Sequence, residues 1–402
     1  MTADRPSPEA PERGADLYAE RRRHIAKAGR SASLLTAGDP LADAVIAELD
    51  ALGAPARQAL VSGLGTGLAS LHKPPPEAVA ALLEQLETTP SRLDPLMLHR
   101  GDVVGLSVPP LWFGLCSITS ALAYSYASPA VARLPTRTGT PTAMATRQLV
   151  ENGVWARQTM RPGGLLRGGP GYVATVQVRL RHARMRATAL EDWDAGIRGL
   201  PISGVDMART WLGFTLVPFE ALAAVGIDIS PDDERLLYHY WSYAAHLLGV
   251  DESLYGDVVD HSDARRLRRL LDSTTAAPDD DSRSMIAAMI DVQARAMADA
   301  PGAVLSEVQL RALIHSVLWR AFGDEVGDRL GLPAPATTEL MPLIGRLNRE
   351  ARYWQTFSPA SAQAARRRAL DGPGPELIGA ILPGGVVHLR NAAAYRWSAP
   401  SF

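Results

Sequence analysis

The sequence predicts an all-α protein organised as a single large helical domain. Apolar residues recur at spacings of three and four over most of the chain, which is the period of a helix buried along one side. Many of these segments begin with Ser, Thr or Asp beside Pro or an acidic residue, the usual signals of a helix N-terminus. Strand character is confined to a short stretch near the C-terminus, residues 385–389, which could equally be a tail packed on the body.

The composition is that of an ordinary globular protein, with 47% hydrophobic and 21% charged residues. The net charge of −2 does not indicate a nucleic-acid partner, and we expect none. Residues 1–15 are proline-rich and charged, so we expect them to be disordered. Residues 16–372 are expected to form the helical domain, and residues 373–402 a turn-rich tail.

In the first quarter of the chain, helices are expected at residues 15–28, 40–52, 55–71 and 77–87. Asp39 is placed as the N-cap of the second helix, with Pro40 at its first position. Gly63, Gly65 and Gly67 in the third helix resemble a phosphate-binding loop but lack its strand context. We interpret these glycines as sites of close helix packing.

Residues 103–132 contain no charged side chain. A run of this length can cross a membrane, but this one contains Ser, Thr and Tyr and follows Pro109-Pro110. We therefore interpret it as a buried central helix and expect no stable membrane span. Cys116, the only cysteine, lies in this run. One cysteine excludes an internal disulfide and a cysteine-held iron–sulfur cluster, and a buried inert thiol is expected.

The C-terminal half is also predicted to be helical. A short helix is expected from Pro218 to Val225. Ser230 is placed as the N-cap of a helix that reaches Gly249, and Ser306 as the N-cap of one that reaches Phe322. A further helix is expected at residues 283–298.

A long helix follows the Gly168-Gly169-Pro170 turn and contains His182. Arginines at 179, 181, 184 and 186 surround this histidine. Nearby positive charge disfavours the imidazolium, so we expect a neutral ring, the form that ligates metals. The arginines could also pair with carboxylates of a bound cofactor. The alternative interpretation is an ordinary interfacial histidine on a solvated basic helix.

The preceding helix, residues 140–157, is capped by Thr140 or Thr142. One of its faces carries four side chains at helical spacing, Gln148, Glu151, Asn152 and Trp155. Other metal and nucleophile chemistries lack their motifs. No histidine follows a glutamate by three positions, as in di-iron bundles, and the His-Glu-x-x-His and Gly-x-Ser-x-Gly patterns are missing from the sequence.

Three blocks resemble the latex clearing proteins (rubber oxygenases) and the wider MpaB-type oxygenase family. They are GDPLADAVIAEL at residues 38–49, GGPGYVATVQVRLRHARMR at 168–186 and PISGVDMARTWLGF at 201–214. They fall in the order of that family, so the resemblance spans roughly residues 35–330. It implies a helical protein that holds haem b, with His182 as the proximal iron ligand.

The resemblance further implies that haem lies between the 140–157 helix and the His182 helix. Where rubber-cleaving relatives carry a distal arginine, lysine and threonine, this sequence has Gln148, Glu151 and Asn152. We expect these three and the adjacent Arg147 to be the catalytic residues, with Glu151 as a weak iron ligand or base. The alternative is that Glu151 faces solvent or pairs with an arginine. The cofactor-binding candidates are His182, Arg179, Arg186, Thr175 and Trp155, and the cavity-wall candidates are Trp112, Phe113 and Tyr124.

The activity implied by the resemblance is that of a haem-dependent oxidoreductase. It would use dioxygen on a small apolar substrate, with an isoprenoid or other alkene cleaved at its double bond. The missing distal lysine keeps two alternatives open, a haem tailoring enzyme for a non-isoprenoid metabolite and a non-catalytic haem-binding protein. Arg21-Arg22-Arg23 is not followed by an apolar core, so we expect a cytoplasmic protein. The sequence does not set the oligomeric state.

Overall fold

The computed structural model describes residues 28–30, 33–88, 90, 93–195, 199–300, 303–335 and 340–371. Within these ranges every regular element is a helix and none is a strand, so the prediction of an all-α fold is confirmed. The predicted lead at residues 1–15, nearly all of the predicted helix at 15–28 and the turn-rich tail with its strand candidate lie outside the described residues.

The helices follow one another with short connections. The α-helices are α1 (Pro40–Leu52), α2 (Ala54–Thr66), α3 (Glu77–Glu87), α4 (Pro95–Arg100), α5 (Pro110–Trp112), α6 (Ser120–Tyr126), α7 (Pro129–Thr136), α8 (Pro141–Met160), α9 (Pro170–Ala189), α10 (Gly204–Ala224), α11 (Pro231–Leu248), α12 (Glu252–Tyr255), α13 (His261–Thr274), α14 (Asp280–Ala298), α15 (Glu307–Phe322), α16 (Asp324–Arg329), α17 (Leu340–Thr356) and α18 (Pro359–Asp371). Between α5 and α6 the chain forms a π-helix, Phe113–Thr119.

Helix N-termini lie where the capping residues predict them. The Asp39 carboxylate accepts from the Ala42 amide at 3.1 Å, directly before Pro40 at the first position of α1. Thr140, and not Thr142, caps α8. Ser306 caps α15 through a reciprocal capping box with Gln309. These bonds satisfy amides that the helix itself leaves unpaired, which is why the boundaries could be predicted locally.

Two of the differences from the predicted helices have a clear physical reason. The helix expected to reach residue 71 ends at Thr66, because Gly67 adopts a φ of +92° and the chain continues as a 3₁₀ turn, Leu68–Ser70. The short helix expected to start at Pro218 is instead the last part of the continuous helix α10. Packing on all sides of α10 offsets the one backbone hydrogen bond that proline removes.

Helix α10 is the centre of the molecule. It packs against α6, the π-helix, α11, α13 and α15, and most of its side chains are buried. Trp211, fully enclosed, donates its indole N–H to the Trp241 carbonyl of α11 at 2.9 Å. The core therefore wraps around α10.

The charge-free run is buried beside α10, as the sequence predicted, but it is broken into short α-helical and π-helical pieces and is not a single helix. Cys116 is buried in its π-helical part, and burial raises the pKa of the thiol well above its ordinary value. Among the described residues, no single helix has the length and apolar content needed to cross a membrane. One pair, Pro95–Ser107 and Pro110–Tyr126, meets these criteria jointly but bends by 89°.

Candidate functional site at His182

Helices α8 and α9 form an antiparallel pair. The close approach of the two helices at the first turn of α9 depends on glycine. Gly168, with a φ of +72°, lies in the turn before α9. A Cβ at Gly171 would lie 2.5 Å from the Gln158 carbonyl oxygen and 2.6 Å from Thr159 Cα. Only a residue without a side chain therefore lets the first turn of α9 approach the backbone of α8 this closely.

Further along the pair, polar side chains join the two helices directly. The Trp155 indole donates to the Thr175 hydroxyl at 3.0 Å, and that hydroxyl donates to the Gly171 carbonyl at 2.6 Å. Nearer the other end, the Glu151 carboxylate pairs with Arg181. Trp155 and Thr175 are thus bonded to each other, so at their level α8 and α9 leave no gap of the kind expected for a haem.

His182 lies on α9 two turns beyond Thr175. Its ring is partly exposed, but Nδ1 is fully buried and has no hydrogen-bond partner among the described residues. Burial, and to a lesser extent the positive charges of Arg181 and Arg186, lower the pKa of His182 to about 3 against a smaller opposing effect of Asp39. The imidazole is therefore neutral, as the sequence predicted, although burial and not the arginines is the larger cause.

Gln148 lies on α8 two turns before Trp155, so the antiparallel arrangement places it and Asn152 at the level of His182. The Asn152 amide donates to the Gln148 carbonyl at 2.9 Å and to the Gln148 side chain at 3.2 Å. Both side chains are partly exposed, and neither forms a hydrogen bond with the histidine ring. At this level the direct bond between the two helices is the Glu151–Arg181 pair, which does not involve the histidine ring.

Glu151 is held between two guanidinium groups. Arg147 donates to one of its oxygens at 2.8 Å within α8, and Arg181 of α9 pairs with the other. The Glu151 side chain is 19% exposed. Of the two interpretations of this residue, the structure shows the one in which the carboxylate pairs with an arginine.

The arginines expected to bind cofactor carboxylates are already paired with protein carboxylates. Arg179 is 3% exposed and donates from Nε and Nη2 to Asp39 and from Nη1 to Gln85 at 2.7 Å. Arg186 is 2% exposed and donates to Asp43 at 2.8 Å. Their donors are therefore used internally, and we correct the expectation that they face a cofactor.

This buried network joins the three sequence blocks that carried the resemblance. Asp39 and Asp43 belong to the first block and Arg179 and Arg186 to the second. The third contributes the Ile202 carbonyl, which accepts from Arg186 Nη1. Gly38 makes the approach possible, because a Cβ there would lie 2.7 Å from Arg186 Nε. The network holds α9, and with it His182, against α1 and the start of α10.

Sequence reasoning missed a second buried carboxylate, Asp102, which is 2% exposed. It accepts from the Val104 and Gly105 amides at 3.0 and 2.9 Å and from the Trp241 indole at 2.8 Å. Burial raises its pKa despite these bonds. Its one sequence signal is its position as the last acidic residue before the charge-free run.

Asp102 lines a small cavity of about 20 Å³ with apolar side chains, among them Phe113, Met160 and Phe214. That volume holds about one water molecule. Of the three residues expected to line a substrate cavity, Phe113 lines this one. Trp112 instead donates to Asn348 at 3.0 Å, and Tyr124 donates to Asp272 at 2.9 Å under the guanidinium of Arg209.

The residues at His182 fit an axial haem ligand in one respect. A neutral imidazole with an unpaired, buried nitrogen has the lone pair and the unsatisfied polarity that iron ligation would use. Neither of the two clearest cavities is lined by His182. Among the described residues there is no group of three or more His, Cys, Asp or Glu side chains that could hold a metal ion by itself. A metal bound here would need a cofactor to supply its other ligands.

Comparisons with known proteins agree with the order of the sequence blocks. A family model described as the catalytic domain of ER-bound oxygenase MpaB/B′ and rubber oxygenase matches residues 111–353. Rubber oxygenase from Streptomyces sp. (strain K30) is 26% identical over 168 residues, which are 41% of this chain and 39% of that protein.

A solved structure of latex clearing protein in the closed state superposes with a TM-score of 0.61 at 21% identity. The superposition covers 86% of this chain and 90% of that one. At this identity the likeness shows a shared fold.

Proposed function

This chain belongs to the MpaB and rubber oxygenase family, and on that basis we propose that it is a haem-dependent oxygenase. The observation that supports the proposal most directly is His182. Its ring is neutral, its Nδ1 is buried without a hydrogen-bond partner in the described part of the chain, and it lies on the helix that the family resemblance assigns to the proximal ligand.

Bound haem b would supply the iron at which dioxygen is activated. His182 would hold that iron. Because its pKa is lowered to about 3, the ring stays unprotonated and available as a ligand throughout the physiological pH range. The Asp39–Arg179 and Asp43–Arg186 pairs would fix the position of α9 and so orient the ring.

On α8, Gln148 and Asn152 would supply the polar groups nearest to His182, donating or accepting hydrogen bonds beside the reacting atoms. Glu151, paired with Arg147 and Arg181, would orient these two guanidinium groups and give the site a positive potential. Rubber-cleaving relatives carry a lysine on the distal side, which this chain lacks. The two therefore differ in the residues that would set substrate choice.

The proposed substrate is a small apolar alkene, with isoprenoids as the first class to test. Cleavage of a carbon–carbon double bond by dioxygen is balanced without another reductant. The σ and π components of the alkene double bond break, and so does the oxygen–oxygen bond. One oxygen atom ends in each of the two carbonyl groups that form. A second candidate, a haem enzyme acting on a non-isoprenoid metabolite, is favoured by the residues that replace the distal set, Gln148, Glu151 and Asn152.

The first test is the absorption spectrum of purified protein after haem supplementation. We expect a Soret band in the wild type and in His315→Ala, since His315 is another partly exposed histidine within a helix. His182→Ala should lose the band or show it strongly shifted, and added imidazole should restore it. A wild type that takes up no haem, or a band unchanged in His182→Ala, contradicts the proposal.

The second test separates the candidate activities once haem is bound. Oxygen uptake with short polyisoprene oligomers, and carbonyl-terminated products, would support the isoprenoid substrate class. A haem-loaded protein that consumes oxygen with other alkenes only would favour the tailoring enzyme. Haem binding without oxygen uptake on any alkene would favour a non-catalytic haem-binding protein.

A further inference from the structure

Helix α17 packs on the body of the protein through Met341 and Ile344 near its start and through polar and small residues further along. Asn348 accepts from the Trp112 indole at 3.0 Å and donates to the Val225 carbonyl at 2.7 Å. One turn later, Arg352 donates to the Ser107 carbonyl at 3.0 Å. One turn earlier, Gly345 lies against Gly226, where a side chain would not fit. The inward side of α17 is therefore apolar at its start and polar around Asn348 and Arg352.

The outward side carries large apolar side chains as well. Leu343, Leu347 and Trp354 lie at positions i, i+4 and i+11, so they share one face, and they are 48%, 57% and 58% exposed. Tyr353 and Phe357 extend this face at the C-terminal end and are 57% and 61% exposed. We call these five side chains the hairpin stripe, because α17 and α18 form a helical hairpin. The solvent-facing side of a surface helix in a globular protein is normally polar.

The aromatic end of the stripe is a contiguous cluster. The rings of Tyr353, Trp354 and Phe357 contact one another with centroids 5.3–5.8 Å apart. A hollow of about 280 Å³ lies beside Trp354, between α17 and α18. Single exposed apolar residues are common, but a contiguous patch marks a surface that is covered in use.

The charge of the hairpin shows what kind of partner would cover it. Residues 340–371 contain six arginines and two acids, Glu350 and Asp371, so their net charge is 6 − 2 = +4. The whole chain has a net charge of −2, so the rest carries −6. Arg346 and Arg349 are exposed and flank the stripe on one side. Apolar and aromatic side chains bordered by arginine are typical of segments that lie in an anionic membrane interface.

We propose that the hairpin stripe docks on the surface of an anionic lipid bilayer. Trp354, Tyr353 and Phe357 would enter the headgroup region, and Arg346 and Arg349 would contact lipid phosphates. A second copy of the chain that docked through the same hairpin would bring a surface of the same +4 charge, and the two surfaces would repel each other. Residues 372–402, with one acid and two arginines, are also basic and offer no complementary charge. A neutral hydrocarbon surface would gain nothing from the arginines.

The test is sedimentation of the full chain with vesicles of phosphatidylcholine alone or mixed with phosphatidylglycerol. We expect binding to the anionic vesicles only, and weaker binding at high salt. Trp354→Ser with Phe357→Ser should weaken binding at least about tenfold, since two large apolar groups no longer insert. Arg346→Gln with Arg349→Gln should weaken it about fivefold per arginine.

Matched controls use equally exposed residues elsewhere. Val304 and Val308 are 93% and 71% exposed, and their double change to Ser should leave binding intact. Arg235 and Arg329 are 61% and 54% exposed, and their double change to Gln is the control for the Arg346 and Arg349 changes. It should also leave binding intact. The substituted side chains of the hairpin are exposed, so the circular dichroism spectra should match that of the wild type.

Four results would overturn the proposal. They are absence of binding to anionic vesicles, equal binding to neutral vesicles, binding that survives the Trp354 and Phe357 changes, and a dimer that these changes dissolve. If the full chain fails to bind and removal of residues 372–402 creates binding, the tail is the occupant and the membrane proposal is wrong for the whole protein.

Discussion

The substitution Arg179→Met tests whether the buried network positions the His182 helix. It removes three hydrogen bonds, two to Asp39 and one to Gln85, and leaves the Asp39 carboxylate, 8% exposed, without its cation. Breaking a buried ion pair by removing one partner costs about 3–5 kcal/mol. Methionine fills a similar volume, so little of this loss comes from a cavity.

The assay is urea unfolding followed by far-ultraviolet circular dichroism, comparing transition midpoints and slopes with the wild type. The matched control is Arg235→Met, because Arg235 pairs with Asp232 on the surface with side chains 61% and 85% exposed. That pair contributes at most about 1 kcal/mol. Asp39→Leu combined with Arg179→Met should recover part of the loss, since no unpaired charge remains.

A loss below about 1 kcal/mol in Arg179→Met, equal to that of the surface control, would refute the reasoning. It would mean that Asp39 is solvated or paired otherwise when the arginine is removed. The same variant bears on function, because Arg179 precedes His182 by one turn of α9. If the network orients the ring, haem affinity should fall in parallel with stability.

Two further predictions concern the same helix pair. The pKa of His182 is about 3 in the folded protein and 6.5 in the unfolded chain. Between these pH values only the unfolded chain binds the proton, so each pH unit of acidification should lower the free energy of unfolding by about 1.4 kcal/mol. This contribution should be missing in His182→Asn. A difference in free energy of unfolding between the wild type and this variant that does not change with pH would contradict the prediction. Gly171→Ala should destabilise by about 1–3 kcal/mol, since its Cβ would meet the backbone of α8, whereas Gly65→Ala, with nothing within 4 Å, should be neutral or stabilising. Thermal unfolding of the two alanine variants checks this, and equal melting temperatures would count against the close contact.

The agreement between sequence and structure is greatest where the determining bonds are local. Asp39 with Pro40, Thr140 and Ser306 identify helix starts because each cap acts on an amide two or three residues away. The neutrality of His182 was also predictable in direction from the arginines beside it, although burial, which the sequence does not reveal, lowers its pKa most.

The partners of the predicted site residues could not be predicted from the sequence. Glu151, Trp155 and Thr175 were identified as site residues, and the structure brings them together as contacts between α8 and α9. Arg179 pairs with Asp39 across 140 positions in the chain, which no local pattern could indicate. Whether Gln148 and Asn152 act beside a bound haem remains a prediction.

The amino-acid sequence by itself determined the all-α class, the caps that start α1, α8 and α15, and the family blocks, since these depend on residues a few positions apart. Only the tertiary structure decided that Arg179 and Arg186 pair with carboxylates of the fold, that α10 continues through Pro218, and that α17 exposes large apolar side chains. Such features depend on which helices meet. Burial, ion pairing and exposure arise when distant segments pack together, so they are properties of the assembled core.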